Sequence, residues 1–255
     1  MRFFLELSFL GTHYKGWQIQ PNAKSVQEEI ESAMSLLLLE PIKIMGAGRT
    51  DTGVHAQKMY AHFDTNHPLP NNFKHRLNAF LPKDIAIKNI LPVKEDAHAR
   101  FHATSRTYKY FVHQEKFPFY DQTSSLIREP LDFLAMNRAC EILFKHKDFT
   151  SFSRLHTDVK TNFCSIYSAK WFKLEDPTQS QPPRWVFEIS ADRFLRNMVR
   201  AIVGTLLLVG KGNLSLEGFE EIILKKNRNL AGASVAAKGL SLTHIQYPKD
   251  LFLDV

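Results

Sequence analysis

The sequence predicts an α+β protein built from two similar halves with largely antiparallel sheets. Three observations carry this reading. Strand-like segments alternate apolar and polar residues with a period of two, capped amphipathic helices fall between them, and the order of elements in the first half recurs in the second. Strands also outnumber what simple βαβ alternation supplies. At 255 residues and 44% hydrophobic, the chain has enough length and apolar content for two domains of ordinary size. The expected division is 1–100 and 101–255. A site is expected in a central cleft between the halves.

In the first half, Phe3, Leu5, Leu7 and Phe9 alternate with Arg2, Glu6 and Ser8, the pattern of a half-buried strand ending at Gly11. Ser25-Val26-Gln27-Glu28 is a capping box. Val26, Ile30, Ala33, Leu37 and Leu38 then form an apolar stripe at helical spacing, and Pro41 closes the helix. A strand through Ile42 and Ile44, a glycine-rich loop from Gly46 to Gly53, and a strand from Lys58 to Phe63 follow. A short helix between Pro70 and Pro82 and a strand from Ile85 to Ile90 complete the half.

In the second half, Arg106 to His113 reads as a strand and Leu131 to Lys145 as a helix. Strands are expected over Cys164 to Leu174 and Trp185 to Asp192, joined by the polar, proline-rich turn EDPTQSQPPR. A long helix is expected from about Phe194 to Val209, stopping at Gly210, with Asp192 as its N-cap. Ser215 caps one more helix, and Leu240 to Gln246 is the last strand.

Composition narrows the function. The longest apolar run, Ala201 to Val209, is half the length of a membrane span. The opening MRFFLELSFLGTHY reads as a strand and not a signal peptide. Cys140 and Cys164 have no metal spacing, which fits free thiols in a cytoplasmic protein. Net charge is +7, which favours a polyanionic partner. Residues 1–100 hold 12 Lys+Arg against 10 Asp+Glu, and the rest hold 21 against 16, so the excess is spread without a basic tail.

The most informative stretch is Gly46-Ala47-Gly48-Arg49-Thr50-Asp51-Thr52-Gly53-Val54-His55. Three glycines in eight residues permit sharp turns and close approach to a ligand. Arg49, two residues from Asp51, favours the ionised acid, and a positioned carboxylate acts as a nucleophile or base. The loop has no P-loop Gly-Lys-Ser/Thr and no dinucleotide fingerprint. Its chemistry points to a carboxylate site without specifying the reaction. A structural turn with Arg49 paired to Asp51 is the plainer alternative.

GAGRTDTGVHA resembles the active-site loop of the tRNA pseudouridine synthase A (TruA) family. Further blocks resemble that family in order: YKGWQIQ from Tyr14 followed by SVQEEIE, HARFHATSRTYKYFV from His98, DFTSFSR from Asp148, FLRNMVRAIVGTLLLVG from Phe194, and AKGLSLTHIQYP near the end. The resemblance implies two similar RRM-like α/β-sandwich domains around a basic central cleft. It implies isomerisation of uridine to pseudouridine in the tRNA anticodon stem-loop, at positions 38, 39 and 40, by a homodimer with no cofactor and no metal.

It also implies roles. Asp51 matches the nucleophilic aspartate; attack at base C6 and action at ribose C1′ both remain open. Arg49 matches an arginine that assists extrusion of the base. Tyr108 matches the tyrosine that packs on the flipped base and whose hydroxyl handles the C5 proton, with Tyr110 as its local competitor. Arg200 matches an arginine expected to pair with Asp51. Leu240 matches a leucine lining the base pocket, for which an ordinary core role is the alternative. Arg193, Arg196 and Arg200 sit at i, i+3 and i+7 of the expected helix, so the first two are assigned to phosphates or to a solvated face. Lys225, Lys226 and Arg228 contact tRNA or complement a helix dipole. His13, Lys15, His55, His62, His98 and His102 have no assigned role. Two alternatives from other classes are a non-catalytic RNA-binding module and a metal-dependent phosphoesterase, though the loop offers only one acid for a metal cluster.

Overall fold

The computed structural model describes residues 1–154, 161–176 and 180–253. Part of the expected EDPTQSQPPR turn, 177–179, lies outside the described residues. The chain forms two compact units, Met1–Ser105 with Ser241–Val255, and Arg106–Leu240.

The first unit contains β1 (Arg2–Phe9), α1 (Val26–Leu38), β2 (Ile44–Gly46), β3 (His55–Asp64), α2 (Phe73–Phe80) and β4 (Ile85–Val93). β1 is central, antiparallel to β3 on one side and to β4 on the other. β2 pairs antiparallel with β3. The tail returns as β9 (Leu240–Gln246), which joins β3 in parallel through His55↔Ser241 and Ala56↔Leu242. That pairing ties the tail to the first unit. The Ser25 hydroxyl accepts the Glu28 amide at 3.3 Å, as the capping box predicts. Phe4, Leu5, Leu7, Ile30, Met59, Phe63, Phe73 and Leu77 are buried and form the core of this unit.

The second unit contains β5 (Ser105–His113), β6 (Ser125–Leu126), α3 (Phe133–Leu143), β7 (Ile166–Leu174), β8 (Arg184–Ala191), α4 (Met198–Gly210) and α5 (Leu216–Leu224). β8 lies between β5 and β7, antiparallel to both, and the short β6 runs parallel to β5. Phe133 of α3 stacks on Trp185 of β8 at 3.6 Å, which fixes that helix on the sheet.

The long helix starts later than its apolar pattern predicts. Asn197 is left-handed (φ 66°), and α4 begins at Met198. Arg193 and Arg196 therefore lie on the loop before α4 and do not share a helical face with Arg200. Asp192 is not the cap either. Its Oδ1 accepts the amides of Ser165 at 2.8 Å and Arg193 at 2.7 Å, pinning the end of β8 to the start of β7.

Candidate active site

Residues 47–54 connect β2 to β3, and three independent attachments hold them. The Ala47 amide donates to the Tyr60 carbonyl at 2.8 Å. The Thr50 carbonyl accepts the Trp17 amide at 3.3 Å, and the Gly53 amide donates to the Tyr14 carbonyl at the same distance. The Val54 amide closes a tight turn onto the Asp51 carbonyl at 3.1 Å. Asp51 is thus the first residue of a turn whose flanks are tied to the segment Gly11–Trp17. Its side chain is partly buried, Arg49 is exposed and Thr50 is buried.

The bracing segment is itself anchored. Tyr14 is 1% exposed and donates its hydroxyl to Asp84 Oδ1 at 2.6 Å, a charge-assisted bond worth roughly 1.5–3 kcal/mol. Burial first, and the Asp84 carboxylate second, push the phenol above its ordinary range. Trp17 is buried beside Phe9, and its carbonyl accepts the Gln27 amide of α1 at 3.0 Å. The Gly11 amide donates to His55 Nδ1 at 2.9 Å, so that nitrogen carries no proton. His55 is 4% exposed. These supports have no role assignable from the sequence alone. The signal for them was present: two glycines and two aromatics crowded into the polar segment GTHYKGW.

In the second unit, Tyr108 and Tyr110 have different surroundings although both lie on β5. Tyr110 is fully buried and donates its hydroxyl to the Ala236 carbonyl at 3.0 Å. Burial pushes that phenol up to about 12. Tyr108 is only partly buried and meets Phe194 edge-on, with ring centroids 5.1 Å apart. This contact puts the loop carrying Arg193 and Arg196 beside Tyr108. Arg196 is exposed and Arg193 partly so.

Arg200 sits in the first turn of α4, and its Nε donates to the Val235 carbonyl at 2.7 Å. The Val235 amide returns a bond to the Arg200 carbonyl at 3.3 Å. Segment 232–235 lies this close to α4 because Gly204 and Gly232 face each other. A Cβ on Gly204 would stand 1.8 Å from the Ala233 carbonyl oxygen. Leu240 is buried (6% exposed), following Gly239, which packs against the Tyr110 ring.

The expected residues thus fall into two groups. Arg49 and Asp51 share one braced loop of the first unit. Tyr108, Arg193, Arg196, Arg200 and Leu240 belong to the second. Lys226 pairs with Asp148 at 3.0 Å, and Arg228 donates to Ser234 Oγ at 2.9 Å and to the Gly232 carbonyl at 3.2 Å. Arg228 thereby supports the segment that holds Arg200. His98 and His102 lie on the loop between β4 and β5.

A family model described as tRNA pseudouridine synthase matches residues 7–102 and 139–248. Among curated proteins, the chain is similar to "tRNA pseudouridine synthase A" of Parabacteroides distasonis, 52% identical over 98% of both chains. It is also similar to the protein of the same name from Porphyromonas gingivalis, 51% identical over 99% of both. A more distant relative with that name, from Aliivibrio salmonicida, is 38% identical over 98% of this chain and 94% of its own.

Proposed function

We propose a function from one premise: the chain belongs to the tRNA pseudouridine synthase family. It is an isomerase that converts uridine to pseudouridine in tRNA, with the anticodon stem-loop, positions 38, 39 and 40, as its target. The reaction breaks the N1–C1′ bond, forms a C5–C1′ bond in the same nucleotide, and moves the C5 proton, so no atom is gained or lost. It runs without a cofactor or metal, in the cytoplasm and as a homodimer.

Asp51 is the nucleophile, attacking base C6 or acting at ribose C1′. The observation that carries this role is the loop around it. A carboxylate-bearing turn tied to buried neighbours on both flanks is a preorganised site, and preorganisation is what a reaction on a bound nucleotide requires. Tyr108 supplies a ring against the unstacked base and a hydroxyl for the C5 proton. Its partial exposure supports that role over Tyr110, whose hydroxyl is engaged in the core. Arg200 pairs with the catalytic carboxylate, and Arg49 assists extrusion of the uridine, which costs roughly a few kcal/mol. Arg193 and Arg196 hold phosphates from their loop, and Leu240 lines the base pocket. Two similar RRM-like domains carry these residues.

The test is incubation with unmodified tRNA transcripts and mapping of pseudouridine by site. Modification at 38, 39 or 40 is expected from the wild type. Asp51→Asn and Asp51→Ala should bind tRNA and make none. Turnover by a pure Asp51 variant would remove the nucleophile from the account.

A further inference from the structure

Phe101 is 73% exposed, yet it stands on a tightly fixed part of the first unit. Every backbone amide from Ala97 to His102 has an acceptor. Ala97 donates to the Lys94 carbonyl at 2.9 Å and His102 to the His98 carbonyl at 3.1 Å. The other four donate to imidazoles: His98 to His102 Nδ1 at 2.9 Å, Ala99 to His62 Nδ1 at 3.2 Å, and Arg100 and Phe101 to His98 Nδ1 at 3.1 and 3.3 Å. The Tyr247 hydroxyl donates to the Ala99 carbonyl at 2.5 Å, and Arg2 to that of Ala97 at 3.1 Å. Three histidines, each accepting at Nδ1, shape this loop.

The rings form a ladder that runs outward. His62 is buried, His98 lies 4.5 Å from it, and Phe101 lies 4.2 Å from His98. The Arg100 guanidinium is 5.6 Å from the Phe101 ring. A single exposed aromatic is ordinary on a protein surface. An exposed ring on a loop whose amides from Ala97 to His102 are all hydrogen-bonded, with a cation beside it, is different. The ordering entropy is already spent, and both chemistries needed for an unpaired nucleotide, a stacking face and a positive charge, are present.

We propose that Phe101 and Arg100 form a second nucleotide-binding position, where an unpaired base of the tRNA, other than the reacting uridine, stacks on the ring and its phosphate meets the guanidinium. This rests on the proposed tRNA substrate but requires no turnover. The test is equilibrium binding of an unmodified tRNA transcript at fixed salt. Phe101→Ala is expected to weaken binding about tenfold, and Phe101→Trp to restore it. Arg100→Gln is expected to weaken binding and to lower the salt slope by about one. The new indole in Phe101→Trp, read against the wild-type signal, is expected to lose fluorescence as tRNA saturates. Wild-type affinity in Phe101→Ala, or an unquenched indole at saturation, overturns the proposal. So does a Phe101→Ala variant that changes only its sedimentation, since the ring would then belong to a subunit interface. Binding that depends on Phe101 in an enzyme that makes no pseudouridine would sink the isomerase reading and leave this one standing. Failure of the wild type to bind tRNA would sink both.

Discussion

The backbone of Gly16 lies directly against that of Thr50. A Cβ at position 16 would stand 2.4 Å from the Thr50 carbonyl oxygen, and Gly16 has a φ of +94° that side chains disfavour. The neighbouring Trp17 amide donates to the same oxygen. This meeting point sets the position of the turn that begins at Asp51. Gly16→Ala is expected to destabilise the protein by about 1–3 kcal/mol and to lower kcat more than it changes KM. Gly48→Ala is the control, since nothing lies within 4 Å of a Cβ there. Urea midpoints and steady-state turnover check both, and equal effects of the two variants would exclude the bracing role.

Tyr108 and Tyr110 should separate cleanly. Removing the Tyr110 hydroxyl leaves the Ala236 carbonyl without that donor, so Tyr110→Phe is expected to cost about 1 kcal/mol of stability and little turnover. Tyr108→Phe is expected to lose far more turnover than Tyr110→Phe. Paired thermal melts and pseudouridine assays check this, and the reverse pattern would exchange the roles of the two tyrosines.

Gly204 is a case where magnitude decides the sign. Alanine is better than glycine inside a helix by roughly 1 kcal/mol. At this position the added methyl would overlap the Ala233 carbonyl oxygen. Overpacking of this kind costs about 1–3 kcal/mol or more, so Gly204→Ala is expected to lower Tm. Because segment 232–235 also receives the Arg200 Nε bond, turnover is expected to fall with it. A raised Tm would show that the segment moves aside without penalty.

His62 should make stability depend on pH. Burial, the neighbouring His98 and then Arg2 lower its pKa from 6.5 to about 4, while Asp64 opposes them. The folded state therefore disfavours the proton that the unfolded chain accepts. The unfolded state binds more protons between about pH 6.5 and 4, so this contribution is full above 6.5 and lost as pH falls toward 4. Unfolding midpoints between pH 7.5 and 4.5 should drop more steeply for the wild type than for His62→Asn, whose amide oxygen is a non-titrating acceptor for the Ala99 amide. Parallel slopes would exclude His62 as the source.

Much of this molecule is legible locally. The capping box at Ser25, the period of β1 and the extent of β9 each follow from a few adjacent residues, and each stands close to its expected bounds. The acid-bearing loop was also evident, because glycines around a cation and a carboxylate are a local chemical signal. The start of α4 is not legible locally, because the residues before it are apolar at helical spacing while the left-handed Asn197 breaks the helix.

The sequence by itself determined the α+β class, nearly all the elements and the segment that bears Asp51, since hydrogen-bonding propensity and side-chain periodicity act over a few residues. Only the tertiary structure decided that β9 returns to β3, that Tyr110 is sealed while Tyr108 is not, and which glycines permit backbones to touch. Those outcomes depend on what arrives from about thirty to nearly two hundred residues away, and contact between distant segments leaves no pattern in either one alone.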